Sequence, residues 1–138
     1  MTSPFTLHLE GLRCVSAQEA DGDEIYLLVD GNQVWSVGTR RMTNAPGDAE
    51  QISEVDFVQG RWKSINGWES IPNFNAGEFV IQVRGAGTRI HVKERDLLLG
   101  DDEIGGALVM AEDAGRGQIQ LAFTGEGAHY LLMFRVTT

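Results

Sequence analysis

"RIHVKERDLLLGDDEIGG", residues 89–106, places five carboxylates around three consecutive leucines. Glu94 and Asp96 precede Leu97, Leu98 and Leu99, and Asp101, Asp102 and Glu103 follow them. Ile90 and Val92 alternate with His91 and Lys93 ahead of the acids, and an apolar pattern resumes at Ile104. Alternation with period two marks a strand with one buried face. The stretch therefore reads as strand, loop, strand, with its charge gathered in the loop. Like charges so crowded raise one another's pKa unless a cation or water relieves them. Hard cations such as calcium take six to eight oxygens, several from carboxylates that a bending backbone brings together. Two readings stand: a solvated acidic loop, or a set of ligands.

The same period extends outward along the chain. Phe5, Leu7 and Leu9 alternate with polar neighbours, as do Phe79, Ile81 and Val83, and Ile119, Leu121 and Phe123; "YLLMFRV" (130–136) is apolar on both faces over much of its length. Turn signals separate the runs: Asp30-Gly31-Asn32, Gly60, Asn66-Gly67, Gly85-Ala86-Gly87, Gly115-Arg116-Gly117 and Gly125-Glu126-Gly127. No segment carries a sustained 3.6-residue apolar pattern. Strands are expected near 5–14, 24–30, 33–37, 52–59, 78–84, 88–94, 103–111, 117–123 and 128–136. About eight short strands with regular turns predict an all-β chain folded as an antiparallel β-sandwich. Residues 38–51 and 60–77 show no clear pattern and read as long surface connections. At 138 residues the chain is expected to be a single domain, 1–138, with enough length for a real core.

Composition narrows the function. The formal net charge is −9, with nine scattered arginines and only Lys63 and Lys93, which opposes nucleic acid because phosphate binding needs a basic stripe. The acids are uneven: four lie in "QEADGDE" (18–24) and five in "ERDLLLGDDE" (94–103). No apolar run approaches a membrane span, and "MTSPFTLHLEG" lacks a signal-peptide pattern, so a soluble chain of undefined compartment is expected. Cys14, the single cysteine, excludes an internal disulfide and reads as a buried small hydrophobe. The three histidines stand at no zinc-ligand spacing, and "RGAGTRI" lacks the third glycine of a nucleotide loop. There is no Gly-x-Ser-x-Gly and no cysteine beside a base, so the chain is not expected to be an enzyme.

The pattern V-x-E-x-D-x5-D-x-I-G, from Val92 to Gly105, resembles the third calcium loop of C2 domains, in which Asp-x-Asp precedes a third Asp and an "IG" step. Glu94, Asp96 and Asp102 occupy the matching positions. Upstream, "GDEIYLLVDG" (22–31) resembles the family's "SDPYV" strand start, with Glu24 on a ligand aspartate, Ile25 in place of proline and Gln18 where another ligand Asp is expected. The family's Asn-Pro-x-Trp turn is missing. The resemblance implies a C2-like sandwich and calcium held by Glu94, Asp96, Asp101 and Asp102 from one loop and by Asp21, Asp23 and Glu24 from another. It also implies that Leu97, Leu98 and Leu99 contact a membrane or partner, the ion bridging to anionic lipid or to a protein. Burying three leucines would contribute roughly 5 kcal/mol; the other reading packs them under the loop.

The expected function is thus a non-catalytic binding module with a calcium site in its acidic loops. A metal-independent protein–protein interaction module is the alternative. A carbohydrate-binding module ranks third, on the aromatic rings of Trp62 and Trp68 flanking "KSING"; Trp35, in an alternating apolar strand, reads as core.

Overall fold

The computed structural model describes residues 4–96 and 100–138. Its strands are β1 (Phe5–Ser16), β2 (Ile25–Val29), β3 (Asn32–Ser36), β4 (Arg41–Met42), β5 (Gln51–Ile52), β6 (Glu54–Asp56), β7 (Arg61–Ser64), β8 (Gly67–Ser70), β9 (Val80–Val83), β10 (Gly87–Glu94), β11 (Asp102–Met110), β12 (Gln118–Phe123) and β13 (His129–Thr137). Seven form one sheet in the order β12-β13-β1-β6-β7-β8, with β9 also on β1; four form a second, β11-β10-β2-β3. Pairing within both is antiparallel, and β4 and β5 make a short parallel pair.

Period-two alternation builds the core from both layers. Inward residues of β1 (Leu7, Leu9, Leu12) and β13 (Tyr130, Leu132, Phe134) meet those of β2 (Ile25, Leu27) and β10 (Ile90, Val92) in one buried cluster. Each such side chain contributes about 1.5–3 kcal/mol by leaving water. The phase of β1 changes once. Inward positions run Phe5, Leu7, Leu9 and then Leu12, Cys14, because a bulge between Leu9 and Gly11 inserts an extra residue against β13. The bulge lies where the other edge of β1 passes from β9 (Phe5–His8) to β6 (Gly11–Arg13).

The antiparallel sandwich expected from the sequence is present, and strand positions agree closely. The two patternless stretches are more ordered than expected. Residues 38–51 supply β4 and β5, and 60–77 contains the β7–β8 hairpin, turned at Asn66-Gly67. The second stretch is held by aromatic rings: Phe57 stacks on Phe79 at 4.5 Å, Phe79 on Phe74 at 5.4 Å, and Trp35 meets Phe57 edge-on at 5.5 Å. Aromatic pairs so arranged gain stability beyond their buried area. Gly60 sits beneath this stack at φ +70°, and a Cβ there would lie 2.3 Å from the Phe74 ring. Gly60→Ala should therefore cost about 2 kcal/mol in backbone strain and overpacking, lowering Tm by roughly 8 °C in a calorimetric scan.

Candidate functional site

The acids converge at one end of the sandwich, where β1 crosses into β2 and where β10 turns into β11. The crossing loop makes a tight turn, with the Gly22 N–H donating to the Glu19 carbonyl at 3.1 Å and Gly22 at φ +105°. Asp23 then pairs through its backbone with Met42 in both directions, at 2.8 and 2.9 Å. Its fully buried carboxylate accepts from the Gln18 N–H (2.8 Å), the Glu19 N–H (3.0 Å) and the Tyr130 hydroxyl (2.7 Å). Asp23 thus folds the loop back on itself and ties it to β13. Burial first, then the charges of Cys14 and Asp23 and the bonds to those residues, drives the Tyr130 hydroxyl far above its usual range. Burial likewise pushes the Cys14 thiol up to about 11, as expected of an unreactive core cysteine.

On the facing loop, Glu94 is the last residue of β10 and continues the inward row Thr88, Ile90, Val92. A carboxylate therefore stands where the strand's phase calls for an aliphatic side chain, 1% exposed, and its Oε2 has no hydrogen-bond partner among the described residues. Burial first, then the charges of Glu19, Asp23, Asp102 and Asp96, together raise its pKa to about 8. Asp102 faces Glu94 in the β10–β11 register and accepts from the Gln18 side-chain amide at 3.0 Å. The amide oxygen of Gln18 is buried and lacks a partner among the described residues. Glu19 is also raised, by desolvation and then by Asp21, Asp23 and Asp96, with Arg41 opposing.

Of the acids implied by the resemblance, Glu94, Asp96, Asp102 and Asp23 share one electrostatic field. Asp21 and Glu24 turn instead to Arg41 of β4, at 3.7 and 3.4 Å. Asp101 accepts from the Tyr26 hydroxyl and from the Asp96 N–H (3.2 Å), which hold it below the usual carboxylate range. Tyr26 is pushed up to about 12, by burial and then by that bond, and Arg95 lies 4.9 Å over its ring. Among the described residues, no three His, Cys, Asp or Glu side chains are gathered as a ready-made metal cage. Leu97, Leu98 and Leu99 lie outside the described residues.

Sequence reasoning named Gln18 only as standing where a ligand Asp is expected, and it missed three participants. Glu19 lay inside the acidic run and was open to notice. Arg41 and Tyr130 carried no local signal, since only the fold brings them to the loop. Trp35 packs against the core as expected; Trp62 is partly buried beneath Arg40, whose guanidinium carbon is 4.5 Å from its ring centre, and Trp68 is 39% exposed. Among the described residues, no helix is long and apolar enough to cross a membrane.

No family model matches the sequence, and no curated protein does. Among solved structures, the chain is similar to a C2 domain at 12% identity and a TM-score of 0.43, covering 98% of both chains. It is also similar to human GIVD cytosolic phospholipase A2 in complex with methyl gamma-linolenyl fluorophosphonate, at 13% identity and a TM-score of 0.43, covering 97% of this chain and 17% of that one. Over nearly its whole length, this chain is an antiparallel β-sandwich similar to a C2 domain.

Proposed function

We propose that this chain is a non-catalytic binding module whose acidic end takes up calcium, the ion joining Glu94, Asp96 and Asp102 to the 18–24 loop and bridging to anionic lipid or to a protein partner. The observation that carries this reading is Glu94, a buried carboxylate with an unpartnered oxygen under the field of four other acids. Such a group is stabilised by a proton or by a cation, and the oxygens around it suit a hard ion. Side-chain oxygens of Glu94, Asp96 and Asp102, with the unpartnered oxygen of Gln18, are the donors that fit. Asp23 serves as the loop's internal anchor, while Asp21, Glu24 and Asp101 become ligands only by leaving Arg41 and Tyr26.

Calcium added to chelator-treated protein should raise Tm by mass action. At a hundredfold excess over Kd the gain is about 2.7 kcal/mol, or about 10 °C. Asp96→Asn with Asp102→Asn should abolish the shift. A flat melting temperature up to millimolar calcium would sink the proposal. It would leave a metal-independent protein-docking module, a second reading favoured by the ion pairs that already engage Asp21 and Glu24 with Arg41.

A further inference from the structure

We propose that the outer face of the seven-stranded sheet is a binding groove for a neutral oligosaccharide, separate from the acidic end. The groove crosses β1, β6, β7, β8, β12 and β13 and encloses about 470 Å3, within the range of small-molecule clefts. None of the acids discussed above lines it.

Backbone features open the groove. Glu10 lies on the outer face as alternation from Leu9 requires, and the β1 bulge brings Gly11 onto that face beside it. Gly11 forms part of the floor, and a Cβ there would lie 2.9 Å from Met133 Cε and 3.1 Å from the Val55 carbonyl oxygen. A side chain at this position would push Met133 aside and press on the Val55 carbonyl, disturbing the floor.

The chemistry of the walls selects the ligand. Glu10, Glu54 and Asp56 face Arg13, Arg61 and Arg135, three charges of each sign, in a chain of net charge −9. An anionic ligand would meet three carboxylates, and a cationic one three guanidiniums. An apolar ligand would strip water from all six without replacing its hydrogen bonds. A sugar hydroxyl donates and accepts at once, and vicinal hydroxyls match the paired atoms of carboxylate, guanidinium and amide groups. The groups are already fixed by one another: Arg61 to Asp56 at 3.1 Å, Arg135 to Glu10 at 3.4 Å, and the Gln118 amide to Glu10 at 3.1 Å. Preorganised polar groups lose little entropy on binding.

Trp68 supplies the stacking surface. It borders the groove and is 39% exposed; Arg61 lies 4.6 Å over one face of its ring and holds it in place, so a sugar would stack on the opposite face. The electron-rich indole face attracts the partly positive C–H face of a pyranose, as it does other edge-on hydrogens.

The test is native-gel affinity electrophoresis of the whole chain in chelator, with soluble mixed-linkage β-glucan, xylan, glucomannan and galactan in the gel and polygalacturonate as a charged comparison. Retardation by at least one neutral polysaccharide is expected, with tryptophan quenching by the matching hexasaccharide. Trp68→Ala should weaken it about tenfold, and Gln118→Ala, a milder surface change, several-fold, both with near-native melting. The Asp96→Asn, Asp102→Asn double variant should bind sugar as the parent does, so this proposal and the calcium proposal fail separately. The inference is overturned if no neutral polysaccharide retards the protein, if Trp68→Ala and Gln118→Ala migrate as the parent does, or if polygalacturonate alone is bound. The first of those outcomes is the one a protein occupant of the groove would give.

Discussion

Glu94→Gln should stabilise the calcium-free protein at pH 9 and leave it nearly unchanged at pH 5. Burial and four neighbouring acids lift the Glu94 carboxyl from an ordinary 4.5 to about 8 in the folded chain. Between those values the native state holds a proton that the unfolded state has released. Its stabilising contribution is complete below pH 4.5 and is lost as pH rises through 8. Solvent at the loop end screens part of this, leaving a decline of about 2 kcal/mol, or roughly 8 °C in Tm, between pH 5 and 9. The glutamine cannot ionise, so its melting curve should lack that decline. Saturating calcium should flatten the slope in the parent, because an ion on the same oxygens displaces the proton from the native state and the unfolded state holds none above pH 5. The variant should lose most of its calcium response. Melting curves of both proteins at five pH values, with and without the ion, give all these results; parallel slopes for the two proteins in chelator would remove Glu94 as the titrating group.

Asp23→Ala should be the most damaging single change at the acidic end. It removes an acceptor shared by two partly buried backbone N–H groups and the buried Tyr130 hydroxyl. Hydrogen bonds to a charged group are worth about 1.5–3 kcal/mol each, and the abandoned donors keep their desolvation cost. A loss of about 3 kcal/mol is expected, lowering Tm by roughly 10 °C. Tyr130→Phe deletes only one of the three bonds and should cost about 1.5 kcal/mol. Denaturant melts at pH 6 measure both, since Glu94 is then protonated and relief of its repulsion does not offset the loss. Equal losses in the two variants would show that the Gln18 and Glu19 bonds contribute nothing.

The layered fold was legible in the sequence because alternation survives wherever one face of a strand is buried. Ile90, Val92 and Glu94 lie on one side of β10 as period two requires, and the same count predicts that Glu94 points inward. Residues 60–77 were not legible because their order comes from stacked rings and a glycine turn, neither of which has a period. The bulge in β1 hid in plain text as Leu9 followed by Leu12, a step of three in a run of twos. At the acidic end, clustering of charge was visible but its division was not. Arg41 draws off Asp21 and Glu24, and Tyr26 draws off Asp101, through contacts that sequence spacing does not encode.

The loop between β1 and β2 begins in one sheet and ends in the other, and Asp23 ties it back to β13 in the first. It works as a clasp across the open rim of the sandwich. Contacts that consolidate late govern how quickly a native state is lost more than how quickly it forms, and this clasp is expected to be one of them: Asp23→Ala should speed unfolding more than it slows refolding in stopped-flow measurements. A clasp so placed is expected to act as a timer on the closed sandwich, its loss shortening the life of the native state rather than slowing its formation.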